Sequence, residues 1–244
     1  MKILAHRGAS GYAPENTFAA FELGRRQGAE GIETDIHATR DGVLVLIHDE
    51  KVDRTTDGCG YVREFSWMQL RQLDAGSKFS PAFAHERVPQ LEEFLDRYAG
   101  QLALCLEVKD HLVIEPLATL LGARGFATGG GIELTSFEWD IAVRLHERLP
   151  HATVGVLVRQ FDASSIKQVE AAGFQGICPH AKQVTPQLVA HAHQQGLTVR
   201  TWGVKSREDL QHVLTCGVDG TTLNWPDWIK RAGKQVTIVH PNSL

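Results

Sequence analysis

Thr153-Val154-Gly155-Val156-Leu157-Val158, the amphipathic stretch Ser164 to Ala172, and then Gly176-Ile177-Cys178 form the passage that decides the fold. A short β-branched run, a helical candidate opened by serine and a second short run make a strand–helix–strand unit. Repetition of that unit in one direction favours a parallel sheet. The same alternation extends both ways along the chain. Strands are expected at Ile3 to His6, Ile32 to His37, Leu102 to Lys109, Gly131 to Thr135, Thr153 to Val158, Gly176 to Cys178, Thr198 to Trp202 and Gly220 to Leu223. Further helical candidates are Thr17 to Gln27, Pro116 to Ala123, Trp139 to Arg148, Pro186 to Gln195, Ser206 to Cys216 and Pro226 to Arg231. Eight strands in 244 residues predict a (β/α)8 TIM barrel, because a doubly wound sheet of this length normally has fewer.

One stretch breaks the rhythm. Val43 to His48 reads as an extra strand folded back on Ile32 to His37 through Arg40-Asp41-Gly42, a hairpin signal. Residues 49–98 hold no clean strand, only helical pieces at Trp67 to Leu73 and Leu91 to Tyr98, and are expected to be a small insertion after the second strand. No linker or low-complexity tract divides the chain, so residues 1–244 are expected to form a single domain.

A soluble globular enzyme is the default class for this composition. A hydrophobic content of 43% supports a sizeable core, and a net charge of −4 provides no basic field for nucleic acid or an anionic membrane. Met1-Lys2-Ile3-Leu4 passes at once into His6, which leaves no room for a signal peptide, and no window is apolar enough for a membrane span. Cys59, Cys105, Cys178 and Cys216 lie far apart, without paired zinc or redox spacing. Free thiols in a reducing cytoplasm are expected. The oligomeric state is not legible.

In a barrel of this kind the reactive groups belong at the carboxyl ends of strands. The first strand ends in His6-Arg7-Gly8. The second carries Glu33 and Asp35 two apart, hence on one face, with Ile32, Thr34 and Ile36 on the other. The third repeats the pattern with Glu107 and Lys109. Like charges on one strand face are costly unless a cation lies between them. Three carboxylates without cysteine favour a hard divalent cation, Mg2+ or Ca2+. A solvated strand end is the blander reading of Glu33 and Asp35, and Lys109 read alone is a surface ion-pair partner. A cation and a lysine together at a barrel mouth also suit a phosphate, whose oxygens need neutralising. Of the twelve histidines, His6 and His48 fall at this mouth, and two imidazoles can serve as acid and base near neutrality.

The strings His6-Arg7-Gly8, Pro14-Glu15-Asn16-Thr17, Glu33-Thr34-Asp35, His48-Asp49-Glu50, Asp53-Arg54-Thr55-Thr56-Asp57-Gly58, Val88-Pro89 before Leu91-Glu92-Glu93, Glu107-Val108-Lys109, Ser136-Phe137 and Trp202 resemble the glycerophosphodiester phosphodiesterase family in content and order. The resemblance covers nearly the whole chain and is closest to the short cytoplasmic bacterial type. It implies hydrolysis of small glycerophosphodiesters to glycerol 3-phosphate and an alcohol, through a cyclic glycerol phosphate. It also implies one divalent cation on Glu33, Asp35 and Glu107, an acid–base pair in His6 and His48, and phosphate binding by Arg7 and Lys109. Pro14-Glu15-Asn16-Thr17 is expected to shape the first loop, with Thr17 a cap. Phe137 and Trp202 are candidates for the glycerol side of the substrate pocket, with burial in the barrel core as the alternative. Two departures stand out: Gly203-Val204-Lys205 after Trp202, and Leu223-Asn224-Trp225-Pro226 where the family has a Thr-Asp-x-Pro pattern. Neither is expected to touch the metal ligands or the histidines. Two rivals are a lipid-directed phosphodiesterase on the same scaffold and a silent barrel that senses a phosphate ester.

Overall fold

The computed structural model describes residues 1–127 and 130–229. In chain order its strands are β1 (Lys2–His6), β2 (Gly31–Ala38), β3 (Leu44–Leu46), β4 (Ala103–Val108), β5 (Ile132–Ser136), β6 (Thr153–Val158), β7 (Gly176–Pro179), β8 (Thr198–Thr201) and β9 (Gly220–Leu223). All but β3 run parallel, in the order β1-β9-β8-β7-β6-β5-β4-β2, and β2 pairs back onto β1. The sheet is therefore a closed eight-stranded TIM barrel, as the alternating pattern predicts.

Around it lie α1 (Phe18–Arg26), the short α2 (Trp67–Leu70), α3 (Leu91–Tyr98), α4 (Ile114–Ala123), α5 (Trp139–Arg148), α6 (Ala163–Ala171), α7 (Pro186–Gln194) and α8 (Arg207–Cys216). Their starts follow from local chemistry. The Thr17 hydroxyl accepts the Ala20 N–H, Pro186 opens α7 behind the Thr185 cap, and Ser206 and Asp209 cap each other's backbone at α8. The helix expected at Pro226 to Arg231 runs past the described residues, since Lys230 and Arg231 lie outside them.

The period of two sorts the strand residues into two environments. Ile32 and Ile36 of β2, Leu104, Leu106 and Val108 of β4, and Val154 and Val156 of β6 face outward into one apolar cluster with Phe21, Leu117, Ile141 and Leu145 of the helices. Burying each such large side chain stabilises the fold by about 1.5–3 kcal/mol. The alternate positions Glu33, Asp35, Cys105, Glu107, Glu133, Cys178 and Arg200 are absent from that cluster. The barrel lumen is thus polar, crossed by an Arg200–Glu133 ion pair at 3.0 Å.

β3 runs antiparallel to β2, with Ile36 opposite Leu46 and Ala38 opposite Leu44. This hairpin folds the chain back, so His48 returns towards the carboxyl end of the barrel. Between β3 and α3 a second small apolar cluster forms from Val45, Ile47, Val52, Val62, Leu70, Ala75 and Val88. The segment 49–98 also contains α3, whose Leu91, Phe94, Leu95 and Tyr98 bury in the barrel's own cluster, so α3 serves as a barrel helix.

Candidate active site

Strand register brings the acidic residues together. His6 of β1 lies opposite Glu33 of β2, and Asp35 of β2 lies opposite Glu107 of β4. Glu33, Asp35 and Glu107 each offer a carboxylate oxygen within 4.8 Å of the others, and all three are buried. Burial of like charges is costly, and the neighbours offset it unequally. Asp35 takes most of the support. Lys109 Nζ lies 3.0 Å from its Oδ1, Arg7 Nε lies 3.1 Å from its Oδ2, and Asn16 Nδ2 donates to Oδ2 at 3.0 Å. Burial would raise the Asp35 pKa, but the charges of Lys109 and Arg7 hold it below the ordinary carboxylate range. Glu33 and Glu107 are pushed up to about 7, first by burial and then by the charge of Asp35.

The cluster is therefore short of positive charge. Asp35 Oδ1 is buried against the Lys109 ammonium, which also reaches Glu107 Oε1 at 2.5 Å, so one lysine is shared between two carboxylates. Three buried carboxylates that converge within 4.8 Å make an all-oxygen donor set, which fits a hard divalent cation better than zinc.

Two imidazoles flank these carboxylates, each held at Nδ1. His6 donates its Nδ1–H to Asn224 Oδ1 at 2.6 Å, which leaves Nε2 3.8 Å from Glu33 Oε2. Burial and the nearby Arg7 charge push its pKa down to about 4. His48 Nδ1 lies 2.6 Å from Asp49 Oδ1, and burial lowers its pKa as well. The backbone of His48 is pinned by His37, whose Nε2–H donates to the His48 carbonyl at 3.2 Å.

The turn after β1 is built to aim Arg7. Arg7 adopts φ +55°, a left-handed conformation that costs a non-glycine residue about 1–3 kcal/mol. Gly8 follows at φ +80°, where a Cβ would lie 2.4 Å from the Ala20 carbonyl carbon. Only glycine fits there. Arg7 also donates to Glu15 Oε1 at 3.1 Å.

Phe137 and Trp202 meet edge to face at 5.2 Å, just beyond the ends of β5 and β8. Both are partly exposed, and Trp202 lies outside the apolar cluster, so the core alternative does not describe it. The Trp202 indole donates to the Cys178 carbonyl at 3.0 Å. The departure at Gly203 has a local cause: at φ +80° its Cβ would come within 2.6 Å of the His180 ring, which packs against Trp202.

The structure thus brings His6, Arg7, Glu33, Asp35, Glu107 and Lys109 to one end of the barrel, with His48 joining from the hairpin. Phe137 and Trp202 form a pair on the rim. One expectation is corrected: the Leu223-Asn224 departure does touch a histidine, because Asn224 accepts from His6. Several supporting residues were not singled out for these roles by the sequence. His37 shares the face of Glu33 and Asp35 by the period of two, and Asp49 simply follows His48. Asn16 does more than shape the first loop, since it donates to Asp35 while accepting from Thr34 at 2.7 Å. Asn224 stood out only as part of a departure from the family pattern, and nothing local tied it to His6, 218 residues away.

Among the described residues no helix is long and apolar enough to cross a membrane, and Cys59, Cys105, Cys178 and Cys216 are all free.

Residues 6–228 match the glycerophosphoryl diester phosphodiesterase family. The chain is 36% identical to YhdW of Bacillus subtilis over 98% of its own length and 100% of the relative's. The crystal structure of a glycerophosphodiester phosphodiesterase from Agrobacterium tumefaciens superposes with a TM-score of 0.86 at 31% identity, covering 95% of this chain and 99% of that one. A phosphodiesterase from Oleispira antarctica, solved with its product sn-glycerol-3-phosphate, superposes with a TM-score of 0.86 at 26% identity, covering 96% of this chain and 97% of that one.

Proposed function

The chain belongs to the glycerophosphoryl diester phosphodiesterase family, and from that premise we propose that it cleaves glycerophosphodiesters to glycerol 3-phosphate and a free alcohol with a divalent cation and a histidine pair. That it is a phosphoric diester hydrolase follows from the family itself. One observation carries the finer reading: three buried carboxylates that converge within 4.8 Å stand beside two imidazoles, each oriented through Nδ1.

Mg2+ or Ca2+ would be held by Glu33, Asp35 and Glu107. Bound there, a cation supplies Lewis-acid charge to the phosphoryl oxygens. Arg7 and Lys109 add positive charge on the same group. Both are already anchored to Asp35, so they are oriented before substrate arrives. The glycerol 2-hydroxyl attacks phosphorus while one histidine takes its proton, and the other histidine protonates the departing alcohol oxygen. The product of this step is a cyclic glycerol phosphate. Water then opens the ring with the roles of the two imidazoles exchanged. A tethered nucleophile gains the advantage of proximity. Phe137 and Trp202 form an apolar wall for the glycerol carbons, and the alcohol half lies towards the open mouth.

Phosphorus NMR of glycerophosphocholine incubated with the protein tests the site of cleavage. Glycerol 3-phosphate with free choline is expected. Phosphocholine would put the cut on the wrong side of phosphorus, and a strong preference for lysophosphatidylcholine would favour a lipid-directed enzyme.

A further inference from the structure

The Asp53-Arg54-Thr55-Thr56-Asp57-Gly58 string has no part in the chemistry described above. Arg54 lies in the segment after β3, half-exposed, and forks across two carboxylates. Its Nε donates to Asp49 Oδ2 at 2.6 Å and its Nη2 to Asp49 Oδ1 at 3.2 Å. Towards Glu15, Nη1 donates to Oε2 at 2.7 Å and Nη2 to Oε1 at 2.8 Å.

Each carboxylate has a second partner among the reacting groups. Asp49 Oδ1 meets His48 Nδ1 at 2.6 Å, and Glu15 Oε1 accepts from Arg7 at 3.1 Å. The chain of contacts His48–Asp49–Arg54–Glu15–Arg7–Asp35 is therefore unbroken, and it spans two separate excursions of the backbone, the β1–α1 loop and the segment after β3. Arg54 is its one member that joins the two.

We infer that Arg54 is a positioning residue for the reaction, holding Asp49 against His48 and Glu15 against Arg7 through a planar two-carboxylate fork. The inference rests on the reading of His48 and Arg7 given under the proposed function. Without the fork each carboxylate is free to rotate away from the group it orients. Burial alone would push the Asp49 pKa up, and the bonds from Arg54 and His48 hold it down at about 2, so Asp49 stays an ionised acceptor for the imidazole. Lysine cannot replace this geometry, because an ammonium is a point charge that does not bind two carboxylates bidentately.

The test compares Arg54→Lys, Arg54→Ala, Asp49→Ala, the double variant Arg54→Ala/Asp49→Ala and His48→Ala on glycerophosphocholine, with thermal melts of each. Arg54→Lys and Arg54→Ala are expected to lose on the order of 10-fold or more in kcat. The double variant should lose clearly less than the product of the two single losses, as residues acting through one another do. A merely structural arginine would lower Tm while lysine restored kcat. Wild-type kcat and KM in Arg54→Lys, or strictly multiplicative losses in the double variant, would overturn the inference. Arg54→Lys serves as the readout if Arg54→Ala does not fold. Should His48→Ala keep normal turnover, the proposed mechanism fails first. If His48→Ala is inactive and Arg54→Lys is normal, only the role of Arg54 is lost.

Discussion

His6 donates its Nδ1–H to Oδ1 of Asn224 at 2.6 Å, across 218 residues of chain, so the last barrel strand sets the imidazole that ends the first. The contact leaves Nε2 as the nitrogen facing the carboxylates. It also supplies His6 with a neutral partner, whereas His48 has the carboxylate of Asp49.

Replacing Asn224 by aspartate adds a negative charge next to the ring and stabilises the imidazolium. The His6 pKa, now pushed down to about 4, should rise. The limb of the kcat/KM profile that reports His6 is expected to move to higher pH by roughly 1–3 units, the usual effect of an adjacent opposite charge. An unchanged profile in an active, folded Asn224→Asp variant would show that His6 does not titrate in the rate-determining chemistry.

His6→Ala and His48→Ala should each reduce turnover on glycerophosphocholine on the order of 100-fold or more while the melting curve changes little. Both rings are at the barrel mouth and neither belongs to the apolar clusters. Near-normal turnover in either variant would reduce that histidine to a structural role.

Stability of the metal-free protein should fall as pH rises through neutrality. Glu33 and Glu107 have folded pKa values near 7 against an ordinary 4.5. The stability gained by holding them protonated is full below about 4.5 and is lost as pH rises through 7. Asp35 stays ionised throughout that window and adds no slope there. A divalent cation replaces the protons, so Mg2+ or Ca2+ should raise Tm little at pH 5 and markedly at pH 8. An equal or larger shift at pH 5 would contradict this electrostatic account.

Phe94 is fully buried, with ring centroids 4.8 Å from Phe21 and 5.2 Å from Tyr98. Phe94→Ala should cost about 3–5 kcal/mol in chemical denaturation. Activity per folded molecule should be retained, because α3 packs on the outer face of the barrel, away from the carboxylates. A loss below about 1 kcal/mol would mean that this part of the core is not tightly packed.

The barrel was legible because its strands alternate with helices at regular spacing, and the period of two within Ile32 to His37 separates the residues that face the helices from those that face the lumen. The same periodicity put Glu33, Asp35, Glu107 and Lys109 in one place. What the sequence concealed are contacts between distant segments. Asn224 reaches His6 only because β9 pairs with β1, and Arg54 reaches Glu15 only because the segment after β3 folds over the β1–α1 loop. Neither closure leaves a local pattern in either partner. His37 was within reach of the periodicity argument, since it lies two residues past Asp35 on the same face.

The most direct test of the central claim is turnover of glycerophosphocholine by protein stripped with EDTA and dialysed, then supplied with Mg2+ or Ca2+, beside a Glu33→Gln variant treated alike. The account predicts that stripped protein is inactive, that at least one of the two cations restores glycerol 3-phosphate release, and that Glu33→Gln recovers far less at the same cation concentration. Full turnover by the stripped protein in excess EDTA would contradict it.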